Sequence, residues 1–261
     1  MEGEGTLTER YQREREFHDG RFQHDDRAAN RFYVIDRSVS ERFIEELLKT
    51  PPEGTALDFG CGADASVAMR LADTGRHVTG FDLSPVAIDK ARARARTRGL
   101  GERMDLHVMN AEALEFADRS FDVVYGTGVL HHLDLRAGFG EIARVLKPHG
   151  RALFVEPMGH NPVVDLYRRL TPSQRTEDEH PLRMDDLTLA RQYFERVDAD
   201  FFALLSLLAL PFPRARRSRR LVEWLDGLDR RLLGRASGLG RFAWFVLLDL
   251  RGPVRNDLTH R

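Results

Sequence analysis

A glycine-rich turn at residues 57–66, LDFGCGADAS, is where residue types and spacing first suggest chemistry. Read from Gly60 it has the pattern G-x-G-x-x-A, which lets a backbone approach a ligand closely. Asp82 follows at about the spacing of an acid that binds a ribose. Several classes of nucleoside cofactor use such turns, so the neighbouring residues must distinguish them.

The residues around the turn disfavour two of these classes. A triphosphate-binding loop needs a lysine and a hydroxyl residue at the start of the helix, whereas here the helix opens with ADASVAM. A dinucleotide places a pyrophosphate near the turn, where Asp58, two residues before Gly60, would repel it. An acid at this position instead suits a cationic ligand.

The turn and four further motifs occur in order and resemble the class I S-adenosylmethionine-dependent methyltransferases of the small-molecule type. The five motifs are LDFGCGAD, FDLSPVAI, NAEALEF, FDVVYGTGVLHHL and EIARVLKPHGRALFVEP, which together cover about residues 55–157. The chain departs from the family pattern at Asp64, where glycine is usual. S-adenosylmethionine carries a sulfonium and an ammonium and no phosphate, in agreement with the acid at Asp58.

The resemblance implies a set of cofactor-binding residues. Asp82 would bind the ribose hydroxyls, and Ala111 and Glu112 would hold the adenine through a main-chain N–H and an acid side chain. The full set is Asp58, Gly60, Cys61, Gly62, Asp82, Leu83, Asn110, Ala111, Glu112, Gly126 and Thr127.

Two adjacent histidines, His131 and His132, are the candidate catalytic residues. Imidazole titrates near neutrality, so one of them could take a proton from the acceptor. Methyl transfer from a sulfonium does not require a base when the acceptor is already nucleophilic. A structural role for both histidines therefore remains an alternative.

The apolar pattern after residue 50 alternates strands with helices, which is typical of a mostly parallel sheet with helices on both faces. We predict a Rossmann-like α/β fold with seven strands, an N-terminal helical lid and a helical insertion before the last strand. The predicted strands are 55–59, 77–82, 104–109, 121–126, 151–156, 194–203 and 242–250. The predicted helices between them are 64–73, 84–98, 136–147 and 185–193.

The predicted domain organisation is a helical lid at 1–50 and a methyltransferase domain at 51–261, with cap segments at about 157–184 and 204–238. The lid and the first cap segment are expected to lie at the mouth of the site. Their candidate substrate or lid residues are Phe17, Tyr33, His160 and Tyr167.

Composition limits the possible partners. The chain of 261 residues is 42% hydrophobic with a formal net charge of −1, which gives no general reason to bind nucleic acid. The single cysteine, Cys61, suggests neither a disulfide nor a metal site.

The sequence predicts no transmembrane segment and a cytoplasmic location. Peripheral membrane contact, the oligomeric state and the role of the basic segment PRARRSRR at 213–220 stay open.

The expected activity is methylation of a small, largely apolar metabolite of the natural-product, quinone or lipid type, possessing an anionic end in some cases. The segment after strand four reads Tyr125-Gly126-Thr127-Gly128, not the [DN]-P-P-[YF] motif typical of base amino-group methylation. Two alternatives are a protein or RNA methyltransferase that uses the basic segment, and a non-catalytic partner subunit that binds the cofactor.

Overall fold

The computed structural model describes residues 2–23, 33–171, 179–209, 219–233 and 237–254. Side chains at 2–8, 21, 23, 33–37, 167, 208–209, 219 and 237 also lie outside that description.

Seven strands form one sheet, as the sequence predicted. They are β1 (Ala56–Phe59), β2 (Val78–Asp82), β3 (Met104–Val108), β4 (Phe121–Thr127), β5 (Leu146–Pro157), β6 (Phe194–Phe202) and β7 (Phe245–Pro253). The sheet order is β3-β2-β1-β4-β5-β7-β6, and only β7 runs antiparallel to its neighbours. The carboxyl ends of β1 to β5 therefore meet at one edge, where open α/β sheets bind ligands.

Eight helices accompany the sheet in the described part of the chain. They are α1 (Glu2–Gln23), α2 (Tyr33–Leu48), α3 (Ser66–Asp73), α4 (Pro85–Thr97), α5 (Leu135–Val145), α6 (Pro162–Leu170), α7 (Met184–Ala190) and α8 (Arg219–Leu233). Short 3-10 turns occur at Gly101–Arg103, Leu130–His132, Ser206–Ala209 and Ser237–Phe242. None of the described helices is both long enough and apolar enough to cross a membrane.

The helices bury apolar faces against both sides of the sheet. One cluster joins α2, α3 and α4 to the sheet through residues such as Phe43, Leu71 and Ile88. The other joins α5 and α7 through residues such as Phe139 and Leu187. Two separate apolar layers of this kind hold the strand ends in fixed positions, so the loops that follow them can form a site.

Three helices begin directly after residues whose side chains cap them. Ser84 caps α4 by accepting a hydrogen bond from Ala87 N at 3.0 Å, and Pro85 occupies the first helical position, where no N–H is needed. Asp134 and Asn161 cap α5 and α6 in the same way. These caps fix where each loop at the carboxyl edge ends.

Some element boundaries differ from the prediction. β5 begins at Leu146, not at residue 151, because an irregularity in its pairing with β4 lets the 147–150 segment remain in the strand. The last strand begins at Phe245, not at 242, because a 3-10 turn precedes it. Within the first cap segment, Asn161-Pro162 starts a helix of nine residues, α6.

Candidate functional site

The glycine-rich turn follows β1 and lies between β2 and β4. Gly60 has φ +76, and a Cβ there would lie 2.7 Å from Val129 Cγ2, so both the backbone angle and the space require glycine. Gly62, with φ +62, donates its N–H to Asp82 Oδ2 at 2.9 Å. Cys61 N donates to the Phe81 carbonyl at 2.8 Å. The turn is thereby held against the end of β2.

The Asp82 carboxylate connects this turn to the next helix. Its second oxygen accepts a hydrogen bond from Ser84 N at 2.9 Å, one residue beyond Leu83. Burial raises the pKa of Asp82, while the two backbone N–H groups and the charge of His18 oppose the rise. Each oxygen uses one of its lone pairs in these contacts, so each can still accept a further hydrogen bond.

Asp58 lies beneath the turn and is only 5% exposed. Burial raises its pKa from 3.8 to about 7, although the Tyr125 hydroxyl and the Ala68 N–H favour the charged form. The nearby Asp82 adds to the rise. A buried carboxyl poised near neutrality is an acceptor for a cation, as the sequence analysis inferred for this position.

The residues after β3 form a tight loop. Asn110 Oδ1 accepts a hydrogen bond from Glu112 N at 3.0 Å, and Ala111 is buried between them. The Glu112 carboxylate accepts hydrogen bonds from Asp134 N at 2.9 Å and from the Tyr11 hydroxyl at 2.7 Å. It also forms an ion pair with Arg10. In this structure Glu112 therefore anchors α1, and its predicted contact with adenine stays a prediction.

The loop after β4 contains Gly126, Thr127 and the two histidines. Gly126 lacks room for a side chain, since a Cβ would lie 2.7 Å from the Phe59 carbonyl oxygen. Thr127 is exposed at the end of the strand. The loop then enters the 3-10 turn Leu130–His132.

Glu156, at the end of β5, holds that 3-10 turn. It is fully buried, and its Oε1 accepts hydrogen bonds from Val129 N at 2.9 Å and Leu130 N at 2.8 Å. Its Oε2 lies 2.7 Å from His131 Nδ1. The carboxylate thus favours the tautomer in which His131 Nδ1 carries the proton and Nε2 can accept one.

The two histidines face different surroundings. His131 Nε2 lies 3.8 Å from Glu179 Oε1, and Glu179 is paired with Arg168 at 2.8 Å. His132 turns towards α1, where its Nδ1 lies 3.3 Å from Glu14 and its ring centroid 5.1 Å from that of His18. The structure therefore places His131 with the first cap segment and His132 with the lid.

Helix α1 lies across the carboxyl edge of the sheet. Asp19 accepts a hydrogen bond from Ser84 Oγ, and Lys90 donates to the Phe22 carbonyl. Phe22 also lies next to the glycine-rich turn, 4.0 Å from where a Gly62 Cβ would be. Together with the anchor at Glu112, these contacts join α1 to the loops after β1, β2 and β3.

The predicted lid and substrate residues divide into three groups. Phe17 lies on α1 and makes an edge contact with the ring of His18, with 5.5 Å between centroids. His160 Nε2 accepts a hydrogen bond from Met184 N at 3.3 Å and so supports the start of α7. The side chains of Tyr33 and Tyr167 lie outside the described residues, as do residues 213–218 of the basic segment.

A cavity of about 340 Å³ opens between α1 and the start of α5. Its charged lining includes Arg10, Arg136 and His180 together with Asp134 and Asp186. His180 N donates to the His131 carbonyl at 2.9 Å, so the cavity adjoins the histidine turn. Leu133, Leu135 and Leu189 complete a lining that mixes charged and apolar side chains.

Sequence reasoning missed the residues that hold this edge together. Glu156 was read only as the end of a strand, although a carboxylate on an otherwise apolar strand is a signal of buried hydrogen bonding. Arg10, Tyr11, Glu14 and His18 were read as part of a charged helix. Their spacing on one helical face was the available signal.

We expect Glu112→Ala to release α1 from the carboxyl edge, because it removes the acceptor of both Arg10 and Tyr11. Hydrogen exchange of the α1 amides should become at least about tenfold faster, which corresponds to the loss of about 1.4 kcal/mol. Tyr11→Phe removes one of these contacts and should give a smaller change. Equal exchange rates in Glu112→Ala and the parent protein would contradict the anchoring role.

The chain is similar in sequence to known methyltransferases. A family model described as a methyltransferase domain matches residues 57–154. The 24-methylenesterol C-methyltransferase 2 of Oryza sativa subsp. japonica is 29% identical over 206 residues, covering 75% of this chain and 55% of the relative. A demethylmenaquinone methyltransferase of Chlorobaculum parvum is 36% identical over 130 residues, covering 49% and 52%. The chain thus spans about half the length of these curated relatives.

Solved structures share the fold at low sequence identity. Phosphoethanolamine N-methyltransferase 2 of Haemonchus contortus superposes with a TM-score of 0.64 at 18% identity, covering 92% of this chain and 60% of the other. Geranyl diphosphate C-methyltransferase of Streptomyces coelicolor gives 0.58 at 19% identity, covering 83% and 79%. The sheet order, the turn and the family match are consistent with one another. Residues 57–154 thus match a methyltransferase-domain family, and the chain resembles the class I S-adenosylmethionine-dependent methyltransferases.

Proposed function

We propose that this protein transfers a methyl group from S-adenosylmethionine to a small, largely apolar metabolite of the natural-product, quinone or lipid type. The observation that carries the proposal is the buried carboxyl of Asp58, whose pKa is raised to about 7 beneath the glycine-rich turn. A cationic ligand stabilises a buried carboxylate strongly, because the ligand's charge compensates for the hydration that the carboxylate lost on burial.

The residues around the turn fit the cofactor. S-adenosylmethionine supplies an electrophilic methyl group on a sulfonium. Gly60 and Gly62 keep the turn free of side chains, and Asp82 retains lone pairs that can accept hydrogen bonds from ribose hydroxyls. Asp58 contributes the negative charge expected near a cationic amino-acid end.

Helix α1 supports the reaction by covering the site. Its contacts with Ser84, Lys90 and Glu112 place it over the edge where the cofactor motifs converge. A covering helix excludes water, and exclusion of water strengthens the electrostatic contacts and favours an in-line displacement.

The nature of the acceptor is supported by the relatives and by the cavity beside the histidine turn. The curated relatives include sterol and quinone methyltransferases, as their names state. The charged groups of the cavity, which include Asp134 and Asp186 beside the arginines and the histidine, suit a polar end of such an acceptor. The same relatives favour a small molecule over the protein, RNA and non-catalytic alternatives.

Calorimetry with S-adenosylmethionine and NAD is the direct test. We expect a single cofactor site that binds S-adenosylmethionine and its demethylated product but not NAD. Incubation with metabolite extracts should then yield products heavier by one methyl group. Tight NAD binding with no binding of S-adenosylmethionine would refute the proposal. Cofactor binding without any methylated product would support a non-catalytic role instead.

His132→Ala is expected to lower kcat by about tenfold or more, because it removes a group that could take a proton from the acceptor. Cofactor affinity should change little, because the ring contacts of His132 among the described residues are with Glu14, His18 and His131. Steady-state kinetics and calorimetry on the same preparation measure the two quantities separately. An unchanged kcat would remove His132 from the catalytic machinery.

A further inference from the structure

Three side chains meet where α1 crosses the histidine turn: Glu14, His18 and His132. Glu14 and His18 are four residues apart on α1 and so share one face of the helix. Glu14 Oε2 lies 3.4 Å from His18 Nε2 and 3.3 Å from His132 Nδ1. All three donor atoms lie within 4.8 Å of one another. Glu14 is buried, and both histidines are partly buried.

We propose that these three side chains bind a divalent transition-metal ion, for which zinc is the best match. A tetrahedral zinc with ligands at about 2.0–2.1 Å has neighbouring donor atoms separated by about 3.3–3.4 Å. The two measured separations agree with this geometry. Two histidines and one carboxylate occupy three positions and leave the fourth for water or a substrate oxygen, as in catalytic zinc sites.

The environment of His132 is a second observation that points to a ligand. Its Nδ1 atom is buried and makes no hydrogen bond within the described part of the protein, because its close approach to Glu14 lacks hydrogen-bonding geometry. Buried polar atoms without a hydrogen bond are uncommon in native proteins. A metal ion at the cluster would satisfy this nitrogen directly.

A neighbouring cluster of His131, His132 and Glu179 fits a metal less well. His131 could offer its Nε2 there, since Glu156 holds its Nδ1 at 2.7 Å, so the difference between the clusters lies at Glu179. Glu179 is paired with Arg168, whose positive charge disfavours a cation there. A substitution in this second cluster therefore serves as the matched control for a substitution in the first.

A metal ion at Glu14, His18 and His132 would join the lid to the loop after β4. The cluster lies where α1 crosses the carboxyl edge of the sheet, at which the acceptor is proposed to bind. The position of the acceptor rests on the proposed function, whereas metal binding by these three side chains does not.

The test uses the full chain, stripped of metal with a chelator and then titrated. We expect one equivalent of Zn²⁺ by calorimetry, and one equivalent of Co²⁺ with the visible absorption bands of a four- or five-coordinate ion. His18→Ala should weaken binding by at least about 100-fold, since loss of a ligand costs more than loss of an outer partner. Glu179→Gln should bind as the parent protein does.

Three results would overturn the site. They are the absence of stoichiometric binding by the parent protein, unchanged binding in His18→Ala, and equal loss in Glu179→Gln. Glu14→Gln, which keeps the size of the side chain, is the second variant and should resemble His18→Ala. Circular dichroism and thermal melting establish that each variant is folded. Because no readout depends on methyl transfer, failure of the site and failure of the proposed activity are distinguishable.

Discussion

Asp58→Asn is expected to bind S-adenosylmethionine about 100-fold more weakly than the parent protein. Asparagine keeps the size of the side chain but removes the charge, and a buried charge-assisted contact contributes about 1.5–3 kcal/mol. Calorimetry at pH 8, where Asp58 is mostly ionised, measures the difference.

The same residue should make cofactor binding depend on pH. A cation binds the ionised form of Asp58, whose pKa is about 7, so affinity should fall as the group becomes protonated. Between pH 8 and pH 6 the parent protein should lose about tenfold in affinity, and Asp58→Asn should lose much less. Equal pH dependence in both proteins would show that another group is responsible.

The stability of the unliganded protein should change with pH in the opposite direction to cofactor affinity. The folded pKa of Asp58 is raised above its ordinary value of 3.8, so the native state loses stability as pH rises from about 4 to 7. Asp58→Asn should therefore be more stable than the parent at pH 8, by about 2–4 kcal/mol, and similar to it near pH 4. Thermal or denaturant unfolding of both proteins at both pH values measures the sign of this difference in stability.

Glu156→Gln is expected to lower kcat by about 100-fold while leaving the fold intact. The glutamine oxygen can still accept from Val129 N and Leu130 N, but its amide group would face His131 Nδ1 as a donor. His131 would then carry its proton on Nε2 and could no longer accept one there. General-base catalysis contributes about 10²–10⁴ in rate, which sets the expected loss.

Glu156→Ala separates this positioning role from a structural one. It leaves two backbone N–H groups without their acceptor, so it should also cost about 2–3 kcal/mol or more in stability. If Glu156→Gln retains both the melting temperature and the pH profile of kcat, His131 is a structural residue. A lowered kcat with an altered pH profile and an unchanged melting temperature supports the assignment.

Local patterns were enough to predict the sheet and the glycine-rich turn. The apolar runs and the Ser84-Pro85 start depend on residues adjacent in the chain, and the structure places them as expected. Asp58 was singled out by its charge beside glycines, and the structure adds that it is buried and titrates near neutrality. The predictions of the sheet and of the turn succeeded because each rests on a few consecutive residues, whereas the role of Asp58 in binding stays a prediction.

Contacts between distant segments could not be predicted in this way. The pairing of Glu112 with Arg10 and Tyr11 joins the loop after β3 to a helix about a hundred residues earlier. Nothing in NAEALEF distinguishes an acid that holds a ligand from one that holds a helix. The hydrogen bonds of Glu156 likewise depend on the order β4-β5 in the sheet and on the path of the loop between them. Both sets of contacts arise only because the fold brings distant segments together.

Helix α1 is attached at several separate points: Glu112 after β3, Ser84 and Lys90 at α4, and the histidine turn after β4. A helix held at distant points along its length detaches as one unit, since breaking one contact gives the cofactor little room to pass. If the cofactor binds beneath α1, as we propose, its entry and exit would require a concerted opening, and such openings are slower than local fluctuations. This favours an ordered kinetic scheme in which the cofactor enters first and leaves last. Departure of the demethylated cofactor would then set the turnover rate, and the first catalytic cycle would be faster than those that follow.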